Sequence, residues 1–193
     1  MGKPTNNRIV IGIAAKIGCG KSTLAQEIQK LKVSFNIRSL GTAVKREAAL
    51  RYNFPVEWCY DTAGKAQTIS HSKLPRENMT VRDVLQWHGT DYRRKQFSES
   101  YWTDVIHSTI NNAPHSAFII DDIRFPDEAE MVLSFPNHYL VQLYPYREWV
   151  SGPNAKHESE IALDNYEHFD HILAPNYGDL PAYAKAIVKG LKL

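Results

Sequence analysis

The chain has 193 residues, 43% of them hydrophobic, and carries 23 Lys and Arg against 21 Asp and Glu. That length suits one α/β domain with room for an inserted lobe. The near-even charge excludes a protein that coats nucleic acid by bulk electrostatics and leaves any anionic ligand to local basic clusters. The two cysteines make no disulfide framework, the polar start MGKPTNN lacks a signal-peptide core and, with Asn6, a myristoylation pattern, and no run approaches the ~18 apolar residues of a membrane span. A soluble cytoplasmic protein is expected, with no membrane and no nucleic acid among its partners.

From Arg8 to Leu31 the sequence reads RIVIGIAAKIGCGKSTLAQEIQKL. Ile9, Val10, Ile11 and Ile13 crowd β-branched side chains into a short apolar run, the pattern of a buried parallel strand, and Leu24, Ile28 and Leu31 then recur at helical spacing. Between them lies AKIGCGKS, the G-x-x-x-x-G-K-[ST] phosphate loop with Ala15 in place of its more common first glycine. Such a loop aims backbone N–H groups and a helix N-terminus at a polyphosphate, and Gly18 and Gly20 leave room for the approach. The residues expected at a nucleoside triphosphate are Ile17, Gly18, Cys19, Gly20, Lys21, Ser22 and Thr23. Lys21 reaches the β- and γ-phosphates, and the Ser22 hydroxyl ligates Mg²⁺. A disulfide at Cys19 would block that ligand, which fits a reducing compartment.

Asn36–Leu40 reads as a short second strand ending at Gly41. Thr42 then caps a helix reaching Tyr52, with Ala43, Val44, Ala48 and Leu50 on its apolar side. Lys45 falls in its first turn, where a cation opposes the helix dipole; it is an anion ligand or a solvated lysine. Asn53–Arg76 holds Pro55, Gly64 and Pro75 and few apolar periods. It is too long for an ordinary connection and is a functional loop, part of a substrate lobe or a homodimer contact. Thr80–Trp87 regains helical pattern, capped by Thr80 and stopped at Gly89. A further helix from about Glu99 to Asn111 puts Trp102, Val105, Ile106 and Ile110 on one stripe.

Ala117–Ile120 is a compact buried strand running into Asp121 and Asp122, where phosphate-loop enzymes carry a second metal-organising carboxylate. Arg124 follows in the same loop, and Pro126 starts a helix. Tyr139–Leu143 is a fourth strand. The stretch after it, YPYREWVSGPNAKHESE, sets Arg147 and Lys156 among prolines and aromatics and reads as a cover over a site. Glu158–Leu163 is a short helix, Asp170–Ala174 a last strand and Asp179–Leu193 an amphipathic closing helix. Strand and helix alternate throughout, which predicts an α/β fold: a mostly parallel five-stranded sheet with helices on both faces. No N/T-K-x-D base-reading motif of a GTPase is present. Arg82, Arg93, Arg94, Arg124 and Arg147 each lie in a loop or on a helix flank, and a planar guanidinium binds phosphate bidentately. The pattern points to small-molecule phosphoryl transfer.

VRDVLQWHGTDYRR…YW (Val81 to Trp102), IIDDIRFPDEAEMV (Ile119 to Val132) and HESE (His157 to Glu160) resemble, in order, the recurring blocks of phage-type deoxynucleoside monophosphate kinases. The closing DHILAPNYGDLPAYAKAI is similar to that family's terminal strand, Asn-turn and helix. The LQ-x-x-GTD-x-x-R and D-x-RFP-x-E blocks carry the resemblance more specifically than the phosphate loop does. The resemblance implies a phosphate-loop kinase fold in a single domain over 1–193, with a core at about 8–41 and 113–193, a helical monophosphate-binding lobe at about 42–112 and a short lid at about 145–158. It also implies Mg²⁺-dependent transfer of the γ-phosphoryl group of ATP to a deoxynucleoside 5′-monophosphate. The products would be ADP and the diphosphate, a DNA precursor, made in the host cytoplasm if the chain is phage-encoded.

Residue by residue, the resemblance places Arg82, Gln86 and Arg94 in the monophosphate pocket with Trp102 in the same block, matches Asp122 and Arg124 to a post-strand D-x-R, and makes Arg147 a lid arginine. Lys45 joins the acceptor side as a candidate. Lys21, Arg147, Asp121 and Asp122 form the implied catalytic set: Lys21 on the β/γ-phosphates, an acid holding metal-bound water or orienting the acceptor, and Arg147 closing over the transferred group. Trp102 either stacks on the base or packs in the core. The competing readings are another small-molecule kinase, acting on dephospho-coenzyme A or a nucleoside, and a nucleotide-binding protein without turnover.

Overall fold

A computed structural model describes residues 8–144, 158–176 and 178–191 of the chain. In chain order its elements are β1 (Ile9–Ala15), α1 (Lys21–Leu31), β2 (Phe35–Arg38), α2 (Leu40–Tyr52), a 3₁₀ turn (Val56–Cys59), α3 (Thr62–Lys65), β3 (Thr68–Ile69), β4 (Met79–Thr80), α4 (Val81–Gln86), a π-helix (Trp87–Arg94), α5 (Tyr101–Asn112), β5 (Ala117–Ile123), α6 (Pro126–Leu133), β6 (Asn137–Leu143), α7 (Glu158–Ile161), β7 (His171–Leu173) and α8 (Leu180–Gly190). The chain divides into two compact units, Met1–Ser39 with His107–Leu193 and Leu40–Ile106.

The first unit is built on five parallel strands in the order β2-β5-β1-β6-β7. β1 lies at the centre, with Ile11 opposite Ile119 on one side and Tyr139 on the other. Both faces of the strand are covered, which is why its sequence is a continuous apolar run instead of an alternating one. On one face Leu24, Ala25 and Ile28 of α1 and Leu180, Ala184 and Ile187 of α8 pack on Ile11, Ile13, Ile119 and Val141. On the other, α6 comes so close that a Cβ on Gly12 would lie 2.9 Å from Val132 and 2.8 Å from Leu140. Helices thus cover both faces, and the loop after β1 opens at the carboxyl end of the sheet, where ligands bind in open parallel α/β folds.

The expected strands and the principal helices are present, with informative differences at their ends. β5 does not stop at Ile120 but continues through Asp121, Asp122 and Ile123. β6 begins two residues earlier than expected, at Asn137. α2 begins at Leu40, which is buried, so Thr42 lies inside the helix and not at its cap, and Lys45 is in the second turn. Leu50, expected on the apolar side, is 87% exposed, because Ala48, Ala49 and Tyr52 form the buried stripe.

The second unit gathers its own core from Ala48, Ala49, Tyr52, Phe54, Cys59, Met79, Val81 and Val84. The segment Asn53–Arg76 supplies part of it. Asp61 caps α3 by accepting from the Gly64 N–H at 2.7 Å, and Gly64 lies so near Trp58 that a Cβ there would sit 2.5 Å from the Trp58 Cα. β3 and β4 pair antiparallel, and the Val81 N–H donates to the Gln67 carbonyl at 2.9 Å, tying this segment to the start of α4. Thr80 caps α4 as its sequence predicts, accepting from the Asp83 N–H at 3.1 Å.

Gly89 does not end that helix. The chain winds on as a π-helix over eight residues, where single-turn π-bulges are the usual form. Gly89 packs closely there, since a Cβ would meet a methyl of the Val44 side chain at 3.3 Å. The stripe of α5 consists of Trp102, Ile106 and Ile110, while Val105 turns outward.

Candidate functional site

The phosphate loop is the sharpest feature of the first unit. Gly18 and Gly20 have φ of 81° and 84°, the left-handed region in which glycine is unstrained, and Gly20 is the N-cap residue of α1. Lys21 is buried at the first position of that helix. Its Nζ donates to the carbonyls of Ala15 at 2.7 Å and Lys16 at 2.9 Å. An ammonium group has three protons, so the loop's own backbone aims the group and one proton remains for a ligand. Burial, and next the nearby Arg124 guanidinium, lower the Lys21 pKa to about 8.

Two acids at the end of β5 meet two hydroxyls. Ser22 donates to Asp121 Oδ2 at 2.9 Å and Ser39 donates to Asp122 Oδ2 at 2.6 Å. Of the two aspartates it is therefore Asp121 that pairs with the phosphate-loop serine. Burial first and the Asp122 charge next raise the Asp121 pKa.

Arg124 is fixed from both ends. Its N–H and that of Phe125 donate to Glu128 Oε2 at 2.7 and 3.1 Å, and its guanidinium donates to Glu160 and to the Ser159 carbonyl, the latter at 3.4 Å. Glu160 in turn accepts from the Ile17 N–H of the phosphate loop at 2.8 Å, and Lys16 pairs with Asp164 at 2.8 Å. Lys16, Arg124, Glu160 and Asp164 line a cavity of about 360 Å³ together with Ala15, Gln142 and Tyr144. Cys19 is buried in the loop and its thiol pKa is raised by desolvation, while Ile17 is half exposed and Ser22 and Thr23 face solvent.

The acceptor-side candidates lie in the second unit. Lys45 Nζ sits over the Tyr60 ring, 4.6 Å from its centroid. Arg82 and Gln86 are both exposed, four residues apart on α4, so they share a face of that helix. Arg94 closes the π-helix, half-buried. Lys65, a residue with no motif to mark it, is near Lys45 and Arg82: burial and then these two cations lower its pKa.

Trp102 is 3% exposed, and its indole N–H donates to the Gly89 carbonyl at 2.9 Å. That bond satisfies a carbonyl of the π-helix, and the ring is packed among buried side chains. Arg147, expected from the sequence as a lid arginine, lies outside the described residues.

Glu128 ends the D-x-RFP-x-E block and Glu160 ends HESE, but sequence reasoning placed neither among the site residues. Glu128 could have been placed there, because an acid at the third helical position, two residues after Pro126, is set to take the amides at the helix start. For Glu160 the HESE block marks the place but not the partner; only the fold brings α7 to the phosphate loop. Among the described residues no group of three or more His, Cys, Asp or Glu side chains could hold a metal, and no helix is long and apolar enough to cross a membrane.

No family model matches the chain. Over 179 residues, covering 87% of this chain and 89% of the relative, it is 23% identical to a protein of Acanthamoeba polyphaga mimivirus provisionally named deoxynucleotide monophosphate kinase. The relative thus bears the name of the family that the sequence blocks resemble. The shikimate kinase of Bacteroides thetaiotaomicron matches in structure with a TM-score of 0.51 at 14% identity, covering 96% of this chain and 99% of that one. The shikimate kinase of Acinetobacter baumannii gives 0.48 at 12% identity, covering 96% and 93%. With its parallel sheet, two-sided helices and phosphate loop at the carboxyl end of β1, the chain has the α/β fold of the phosphate-loop kinases.

Proposed function

We propose that the protein is a kinase that transfers the γ-phosphoryl group of ATP to a deoxynucleoside 5′-monophosphate. The observation that carries the donor half is Lys21, buried and held by the carbonyls of Ala15 and Lys16 beside a Ser22–Asp121 pair. The acceptor half is supported by the GTD-x-x-R and D-x-RFP blocks and by the name of the viral relative.

In the reaction an oxygen of the acceptor phosphate forms a bond to the γ-phosphorus while the bond to the β,γ-bridging oxygen breaks, and ADP leaves with that electron pair. The acceptor is already an anion, so no strong base is needed. The protein's part is alignment and charge neutralisation. Ile17 through Thr23 present amides and the helix start to the triphosphate, and Lys21 bridges the donor and the transferred group. The Ser22 hydroxyl and Asp121 carboxylate, 2.9 Å apart, offer two hard oxygens, which fits Mg²⁺, an ion that takes few protein ligands and keeps waters and phosphate oxygens. When bound, Mg²⁺ would neutralise charge on the phosphates. Asp122, fixed by Ser39, orients the loop that carries Arg124, and Arg124 takes a phosphate oxygen bidentately. On the acceptor side Lys45, Arg82, Gln86 and Arg94 hold the monophosphate, with Lys65 adding to the positive field. Arg147 closes over the transferred group.

An assay of ADP release with dAMP, dGMP, dCMP, dTMP and their ribose forms tests this reading. Turnover with at least one deoxynucleotide is expected. ATP bound but no ADP released with any monophosphate would leave the acceptor assignment without support, and dephospho-coenzyme A and nucleosides would then be the acceptors to assay.

A further inference from the structure

Glu160 is a charged side chain only 9% exposed, in the short helix α7, and its two oxygens serve different partners. Oε2 accepts from the Ile17 N–H at 2.8 Å, and Oε1 accepts from the Arg124 guanidinium. Ile17 belongs to the phosphate loop and Arg124 to the loop after β5. The ammonium of Lys21, the group that meets the β- and γ-phosphates in such loops, rests on the carbonyls of Ala15 and Lys16. The Ile17 amide, next along the chain, therefore marks the terminal-phosphate end of the loop. Lys21 also senses the charges of both Arg124 and Glu160. A main-chain N–H, a guanidinium and an ammonium around one anion are the donors a phosphate oxygen requires. Here a carboxylate has the first two, and the ammonium lies near enough to feel its charge.

We propose that Glu160 is the phosphate loop's internal counter-anion: it presets the Ile17 amide and Arg124 in the places that terminal phosphate oxygens take, and the nucleotide's terminal phosphate enters by exchange with this carboxylate. The proposal rests on the loop being a nucleotide site and is independent of which acceptor is used. Exchange has a consequence of definite sign. Like charges at contact distance repel strongly where water is partly excluded, so removing the Glu160 charge strengthens binding of a triphosphate, whereas loss of a merely structural contact weakens it.

The test is calorimetric titration of the full chain with Mg·ATP and, separately, Mg·ADP. Glu160→Gln keeps the shape and one oxygen for the Ile17 N–H but removes the charge. It is expected to bind Mg·ATP about tenfold tighter or more and to change Mg·ADP by less than about threefold, since ADP lacks the phosphate that competes. Asp164→Asn removes the same charge from the same segment, where it pairs with Lys16 at 2.8 Å without holding an amide. It should change either affinity by less than about threefold.

Unchanged or weaker Mg·ATP binding by Glu160→Gln overturns the proposal, and so does equal tightening in both variants. If Glu160→Gln melts below the assay temperature, Glu160→Asp takes its place. One methylene shorter, it cannot span both donors, and Mg·ATP binding about threefold tighter is expected. A wild-type chain that binds Mg·ATP but releases no ADP with any monophosphate defeats the acceptor assignment and leaves this comparison in force. A chain that binds no nucleotide in any form defeats both.

Discussion

Lys21 in the first unit and His88 in the second are both buried bases whose pKa is lowered chiefly by desolvation, to about 8 and about 4 respectively. Their partners differ in kind. Lys21 donates to two loop carbonyls and keeps a proton for a ligand, while around it Glu160 and Glu128 hold the amides of Ile17, Arg124 and Phe125. His88 shares a hydrogen bond with the Tyr52 hydroxyl at 2.9 Å, and its other nitrogen lies 3.4 Å from Glu47. Glu47 accepts in turn from Arg93 Nε at 2.6 Å and from Tyr101 at 3.0 Å, and Tyr92 stacks on His88 and Trp87. The first network sets main-chain groups around a place where an anion can enter. The second closes on itself and specifies how helices pack. Changes in the first should therefore act on affinity and rate, and changes in the second on stability.

The largest expected effect is at Lys21. Lys21→Ala should lower turnover by about 10³-fold, the order found when one preorganised donor to developing charge is removed. The melting temperature should barely move. Loss of folding together with activity would break the contrast, because Lys21 would then be a structural residue like His88.

This contrast also sets what the sequence could show. β1, the phosphate loop and α1 were legible because three demands coincide in one contiguous stretch: a strand buried on both faces, glycines at positive φ and a lysine at the helix start. The strand-end acids were legible for the same reason, although only the fold distinguishes Asp121, on Ser22, from Asp122, on Ser39. The π-helix was not. Gly89 carries the signature of a helix stop, but the helix winds on through it with Val44 packed close by, and a widened turn leaves no mark in apolar periodicity. The partner of Glu160 was likewise hidden although HESE marked the residue, since the amide it holds lies 143 positions away. Lys65 gained meaning only from the cations that the fold sets beside it.

His88 gives the second prediction. Its pKa is about 4 in the folded chain against 6.5 for an ordinary histidine, so between these values the unfolded chain binds more protons. The stability of the neutral, buried form is fully present above about pH 6.5 and is lost as pH falls toward about 4, by roughly 3 kcal/mol in all. Urea unfolding from pH 7.5 to 4.5 followed by the second unit's tryptophans should show the loss, and in His88→Gln the pH dependence should be flatter by about that amount. An identical slope in both proteins would remove His88 as its source.

The smallest expected effect, at Trp102, sharpens the contrast most directly, because this residue lies in the sequence block that resembles a monophosphate pocket yet is buried in the structure. Trp102→Phe keeps most of the ring volume and removes the N–H that donates to the Gly89 carbonyl at 2.9 Å. A lost hydrogen bond of this kind costs about 1 kcal/mol, which for a chain of this size lowers the melting temperature by roughly 2–4 °C. The monophosphate KM should stay within about twofold, since a ring 3% exposed has no free face for a base. The opposite result, a KM raised several-fold with the melting temperature unchanged, would mean that the second unit opens to admit the base between its aromatic rings. The aromatic network would then be one state of a binding pocket, and the division between a network that binds phosphate and a network that only packs would fail.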